Sequence, residues 1–169
     1  MIILGIDPGF GITGYGLIEV NSQDIDKTRL VEAGVLTSQK SLPFQERLEE
    51  IYMQTFEILE EFLPKAAAVE DNYSVQAFPR SAIAIGHVRG IVLLALARKK
   101  VPVYSYFPRE VKKALVGSGN ATKNQVQRMV ESRFDLTDVT RPDDMSDALA
   151  IALCHASHMN RMDMECARS

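Results

Sequence analysis

The sequence predicts an α/β domain built on a five-stranded mixed sheet, and three observations carry that assignment. Three strand-like segments follow one another near the N-terminus. Helical and strand-like segments then alternate through the middle of the chain. The last long segment is an almost wholly apolar helix, suited to lie against a sheet. At 169 residues, 46% of them hydrophobic and 24% charged, the chain has the length for one continuous core and the balance of a soluble globular protein.

Each element has its own signal. Residues 1–7, MIILGID, read as a buried strand, and GYGLIEV, 14–20, as a second with partial alternation. The short Gly-rich stretch between them predicts a hairpin. RLVEAGVLT, 29–37, is the third strand. A helix is expected from about Ser41, with Pro43 just inside its start. Leu48, Ile51, Phe56 and Leu59 recur at helical spacing, and Pro64 stops it. AAAVED, 66–71, is a short apolar strand ending at two acids, and NYSVQAFPRS, 72–81, is a polar, aperiodic loop. AIAIGHVRGIVLLALARKK, 82–100, is a second long helix whose basic end suits the helix dipole. VPVYSYF, 101–107, is the fifth strand and PREVKKAL, 108–115, a short helix. A further helix starts near Thr122 and continues through NQVQRMVESRF. The final helix, opened by Thr140 and Pro142, runs through DDMSDALAIALCHASHM, 143–159. One domain is expected over 1–158, with 159–169 as a polar, disordered tail.

Several function classes are set aside by composition. No apolar run approaches the roughly 20 residues of a membrane span. The N-terminus lacks the basic region of a signal peptide and reaches an acid at Asp7. Cys154 and Cys166 lack metal spacing, and free thiols in a reducing cytoplasm are expected. The net charge of −3 hides an uneven distribution. Residues 80–128 hold ten Lys or Arg against one acid, Glu110, while the remainder holds nine basic and 21 acidic residues. Such asymmetry is what a polyanion-binding face on an acidic body produces, although solvated helix faces give charge runs too.

Gly9, Gly11 and Gly14 in IDPGFGITGYG match the letters of a dinucleotide-binding loop. That loop must open a helix, whose amides hold the pyrophosphate. Here Tyr15, Gly16, Leu17, Ile18, Glu19 and Val20 follow, which read as a strand. The stretch therefore directs interest to Asp7, at the C-terminal end of a buried strand where α/β sheets bind ligands. A turn-capping role for Asp7 before Pro8 is the plain alternative. Glu70 and Asp71 end another apolar strand, and a carboxylate there is costly unless paired or metal-bound. Alternation puts the two on opposite faces, so one of them can join Asp7, and spacing leaves open which. Asp144 and Asp147, three apart, share a helix face, as do Asp143 and Asp147, four apart. Asp143 and Asp144 also suit the helix dipole, whereas Asp147 lies a turn deeper. Such a carboxylate set suits hard divalent cations, and two Mg²⁺ ions can drive phosphodiester hydrolysis. His87 and His155 each sit on a helix and read as core or surface residues.

GIDPGFGITGYG, VEDNY, HVRG, VKKALVGSGNATKNQV and DDMSDALAIALCHA fall in the order and spacing of the RuvC family of Holliday junction resolvases, which the chain resembles over all but its tail. The resemblance implies a ribonuclease H-like fold and a cytoplasmic homodimer. It implies a Mg²⁺-dependent endonuclease, with two ions per site and Mn²⁺ as a substitute, that cuts four-way DNA junctions symmetrically in recombination and repair. The implied catalytic and metal-binding carboxylates are Asp7, Glu70, Asp144 and Asp147, with Asp144 at a variable site. The roles of Asp71 and Asp143 stay open. The implied DNA contacts are Tyr73, Arg80, Lys112 and Lys123, with Tyr73 standing where a relative has Phe. Dimerisation is implied around 81–100, and RuvA and RuvB are the implied partners. The competing reading is a junction-binding protein of the same fold without catalysis. An actin-like kinase would need a second lobe for which 169 residues leave no room.

Overall fold

The computed structural model describes residues 1–21, 27–71, 79–136 and 143–166, with the backbone alone at 79–80 and 160–166. Its strands are β1 (Ile2–Asp7), β2 (Ile12–Glu19), β3 (Arg29–Thr37), β4 (Ala66–Glu70) and β5 (Val103–Tyr106). They form one sheet in the order β3-β2-β1-β4-β5. β1, β2 and β3 pair antiparallel, and β4 and β5 extend the sheet parallel to β1. Parallel pairing needs crossovers, which α1 (Phe44–Phe62) and α2 (Pro79–Arg98) supply. α3 (Pro108–Val116), α4 (Lys123–Phe134) and α5 (Asp143–Cys166) follow β5.

Alternation along the strands feeds two cores. Leu4, Ile6, Leu17, Ala67 and Val69 face Ile51, Leu59, Val88, Val92 and Leu96 of α1 and α2. Ile3, Ile18 and Ala68 face Val111, Val126, Val130, Leu149 and Ala152 of α3, α4 and α5. α5 lies closest of all, because the face beneath it is made partly of glycine. Gly5 pairs with Gly16, and Asp7 with Gly14. A Cβ on Gly5 would stand 2.1 Å from the Ala148 carbonyl oxygen, and one on Gly14 would stand 1.9 Å from that of Asp144. Only glycine lets the helix backbone rest on the strands there, and this contact brings the first turn of α5 beside Asp7.

Five differences from the sequence reading have physical causes. β2 opens at Ile12, two residues before GYGLIEV, so a strand follows the glycine loop directly. α1 opens at Phe44, with Pro43 at its N-cap, and ends where Leu63 turns left-handed ahead of Pro64. β5 is four residues long, with Val101 and Pro102 outside it. The helical backbone of α5 continues to Cys166, where a polar tail was expected from 159; Thr140 and Pro142 lie outside the described residues. Finally, Ser81–Arg98 has a mean hydropathy of 1.5 and is long and apolar enough to cross a membrane, which overturns the expectation that no run came close. Val88, Val92, Ala95 and Leu96 bury one side of it on the sheet, yet only 22% of the stretch is buried.

Candidate active site

The parallel pairing of β1 with β4 places two strand ends side by side, and each end carries a carboxylate. Asp7 follows Gly5 on the α5 face of β1, and Glu70 follows Ala68 on the same face of β4. The two carboxyls act on one another at hydrogen-bonding range, an arrangement that favours a proton on one of them. Burial pushes the Glu70 carboxyl up to about 9, reinforced by the hydrogen bond and charge of Asp7. Burial also raises Asp7, helped by the charges of Asp147 and Asp144 and opposed by its bond to Glu70. Asp71 leaves β4 on the other side and pairs with Arg89 of α2 at 3.4 Å.

α5 brings the remaining acids. Asp147 lies within electrostatic range of both Asp7 and Glu70, and Asp144 within range of Asp7. Lys123 opens α4, where Thr122 caps the helix by accepting from the Gln125 amide. Its Nζ stands 3.0 Å from Asp147 and 3.3 Å from Asp143. Burial works against this ammonium, but Asp147 and Asp143 outweigh it and hold its pKa above the ordinary value. An open cleft of about 210 Å³ reaches Glu70 and Asp147, floored by Val111, Val126, Ala150 and Ile151, with Lys112 and Lys123 among its polar lining.

Hard oxygen donors suit Mg²⁺ or Mn²⁺, and the Asp7–Glu70 pair gives an independent sign of fit. Two carboxylates that share a proton because both cannot ionise are a place where a cation restores both charges. Among the described residues no three acidic, His or Cys side chains converge as a ready-made cage.

The structure thus gathers Asp7, Glu70, Asp147 and, more loosely, Asp144, and brings Lys112 and Lys123 to the cleft that Glu70 and Asp147 line. Tyr73 lies outside the described residues, and only the backbone of Arg80 is described, in the first turn of α2. Cys154 is buried, with its Sγ 3.7 Å from His158 Nδ1, and the Cys166 side chain lies outside the described residues. His155 is a core residue whose Nδ1 and the Tyr106 hydroxyl hydrogen-bond at 2.8 Å, and burial pushes it down to about 4. His87 is exposed, with its Nδ1–H donating to the Ile83 carbonyl at 2.7 Å. Two contributors carried no role in the sequence reading. One is Gly14 as the seat of Asp144; the other is Arg89, visible only as one more basic residue.

Comparison with known proteins follows this geometry. Residues 3–155 match the family model described as crossover junction endodeoxyribonuclease RuvC. The curated RuvC of Thermotoga petrophila is 45% identical over 92% of this chain and 92% of its own. That of Thermotoga maritima is 45% identical over 91% and 89%. Thermus thermophilus RuvC, solved with a Holliday junction substrate, superposes with a TM-score of 0.88 at 37% identity over 96% of each chain. The yeast mitochondrial Holliday junction resolvase, at 17% identity and a TM-score of 0.66 over 95% of this chain and 80% of that one, shares the fold. The five-stranded sheet and its flanking helices are accordingly the ribonuclease H-like fold of these resolvases. By sequence and by structure, this chain belongs to the crossover junction endodeoxyribonuclease RuvC family.

Proposed function

We propose that this chain is a metal-dependent endonuclease that resolves four-way DNA junctions. One observation carries the reading: two half-buried carboxyls, Asp7 and Glu70, face each other at adjacent parallel strand ends, within electrostatic range of Asp147. Asp7, Glu70, Asp144 and Asp147 would hold Mg²⁺, two ions per site, with Mn²⁺ as a substitute. Such ions supply a water made nucleophilic at neutral pH and charge stabilisation for the leaving oxygen. The chain supplies the rest. The apolar floor of the cleft limits water around the reacting phosphate, and Lys112 meets the DNA backbone from its wall. Lys123 offers its ammonium to a phosphate from a position held by Asp143 and Asp147. Tyr73 stacks on a base at the junction centre and Arg80 meets the backbone. Two copies meet through α2, whose exposed Ile83 and Leu94 flank Gly86 and Gly90, so that two sites face two strands. RuvA and RuvB are the partner proteins in this reading, and the cytoplasm, away from membranes, is the setting.

The test is cleavage of a synthetic four-way junction with Mg²⁺. Wild type gives paired, symmetric nicks. Asp7→Asn binds the junction and cuts it at least ~10³-fold more slowly, the loss of several kcal/mol of barrier. Absence of cleavage by wild type, or equal cleavage by the variant, overturns the reading. A junction-binding protein without catalysis instead shows salt-dependent binding indifferent to Asp7 and Glu70.

A further inference from the structure

Arg89 sits on α2 next to the buried Val88, on the side of the sheet opposite the acidic cluster, with its side chain only 24% exposed. Its guanidinium serves three acceptors at once. Nε–H donates to the Glu70 carbonyl at 3.3 Å, and Nη2 donates to Ser105 Oγ at 2.9 Å. The same Nη2 pairs with Asp71 Oδ1 at 3.4 Å, and the Asp71 side chain is only 15% exposed. The Asp71 amide in turn donates to the Tyr106 carbonyl at 2.9 Å, one step beyond the Glu70–Tyr106 register pair. One side chain therefore ties a helix to the C-terminal ends of two parallel strands.

The peptide it grips is the one that carries Glu70. The Glu70 carboxylate leaves β4 on the face shared with Asp7, while its carbonyl and the Asp71 carboxylate meet Arg89. Any rotation of that peptide would swing the carboxylate away from Asp7, and displacements of about 1 Å at such a group can cost ~10²-fold in rate. We propose that Arg89 is a positioning residue for Glu70, acting through the sheet from the opposite face, with Asp71 as its counter-ion rather than as a metal ligand. The inference rests on the reading of Glu70 as a metal-binding carboxylate of a junction nuclease. It also gives the exposed face of α2 a rigid connection to the acidic site, through a residue less than two turns from both Ile83 and Leu94.

A plain ion pair could be made by lysine; this arrangement could not. Lysine offers a point charge, whereas the planar fork reaches a carbonyl, a hydroxyl and a carboxylate together. The experiment compares wild type, Arg89→Lys, Arg89→Met, Asp71→Asn and the Arg89→Met/Asp71→Asn double variant in three readouts. These are the junction cleavage rate at saturating protein, junction affinity, and Mn²⁺ affinity without DNA by titration calorimetry. Thermal melting and light scattering report fold and oligomeric state alongside. Arg89→Lys is expected to keep fold, assembly and junction affinity, to cut about 10–100-fold more slowly, and to bind Mn²⁺ about tenfold more weakly. Asp71→Asn is expected to add little to Arg89→Met, since the two act as one unit. A wild-type rate and Mn²⁺ affinity in Arg89→Lys overturns the proposal. So does a loss confined to junction affinity, melting temperature or assembly, which marks a fold or interface residue. Should Arg89→Met fail to fold, Arg89→Lys and Asp71→Asn still decide. Should wild type fail to cut, the function reading falls, and the Mn²⁺ titration still reports on Arg89.

Discussion

Gly14 stands opposite Asp7 in the β1–β2 ladder, and the space its missing side chain leaves is filled by the backbone of α5 at Asp144. An alanine there puts carbon 1.9 Å from a carbonyl oxygen, so the helix end must retreat. Gly14→Ala should cost on the order of 1–3 kcal/mol, or roughly 3–10 °C in a thermal melt of a chain this size, and cleavage should fall as Asp144 and Asp147 shift. Gly11→Ala is the matched control. A Cβ at Gly11 meets nothing within 4 Å and its φ is not positive, so melting temperature and cleavage should hold or rise slightly. Equal losses in both variants would deny the close packing its part. The letters G-x-G-x-x-G are plain in the sequence, and so is the strand that disqualifies them. What Gly14 accommodates is not legible there, because the occupant is a helix 130 residues further on, which no local pattern reports.

Among the elements, α2 is the one whose surroundings in a single copy leave most unexplained. Ile83 is 61% exposed and Leu94 54%, on a helix apolar enough to pass for a membrane span. The stripe Ile83, Gly86, Gly90, Leu94 follows helical spacing, and added Cβ atoms at both glycines meet nothing within 4 Å. A second helix could therefore approach closely. Leu94→Glu should leave the melting temperature of a lone copy nearly unchanged, since the position is exposed. It should weaken self-association at least a hundredfold, because a charge would be buried without a partner, at a cost on the order of a few kcal/mol. Light scattering against concentration decides; a monomeric wild type would sink the idea. Helical period and caps made most elements legible, such as the Thr122 cap of α4. They made the end of α5 less so, since its last turns are polar and carry no apolar period, yet the helical backbone runs on to Cys166. Arg89 was illegible for another reason. Nothing in HVRG says that the arginine faces the ends of β4 and β5.

Taken as a whole molecule, the site draws on residues 7, 70, 144 and 147, so three distant stretches must meet. Acids at strand ends and at a helix start were visible in the sequence. That β1 lies beside β4, and that alternation favours Glu70 over Asp71 for the Asp7 face, are matters of strand order and register. The proton shared by Asp7 and Glu70 has a consequence for stability. Burial and the neighbouring Asp7 push the Glu70 carboxyl up to about 9 in the folded chain, whereas an unfolded chain releases that proton near 4.5. The folded state thus binds more protons across that interval, so stability falls as pH rises through it. In effect the molecule carries a fault line through its middle, where like charges press apart the segments the fold has joined. Asp7→Asn, the substitution expected to abolish cleavage, should then make the metal-free protein harder to unfold, by about 0.5–2 kcal/mol. The advantage should widen from acidic pH toward pH 9 and shrink when Mg²⁺ is added to wild type, since an ion that binds only the folded site stabilises it. Melting curves of the two proteins, with and without Mg²⁺, check this, and a less stable variant at every pH would refute it. A cation here would be a rivet as well as a reagent, closing the seam that its absence leaves under load.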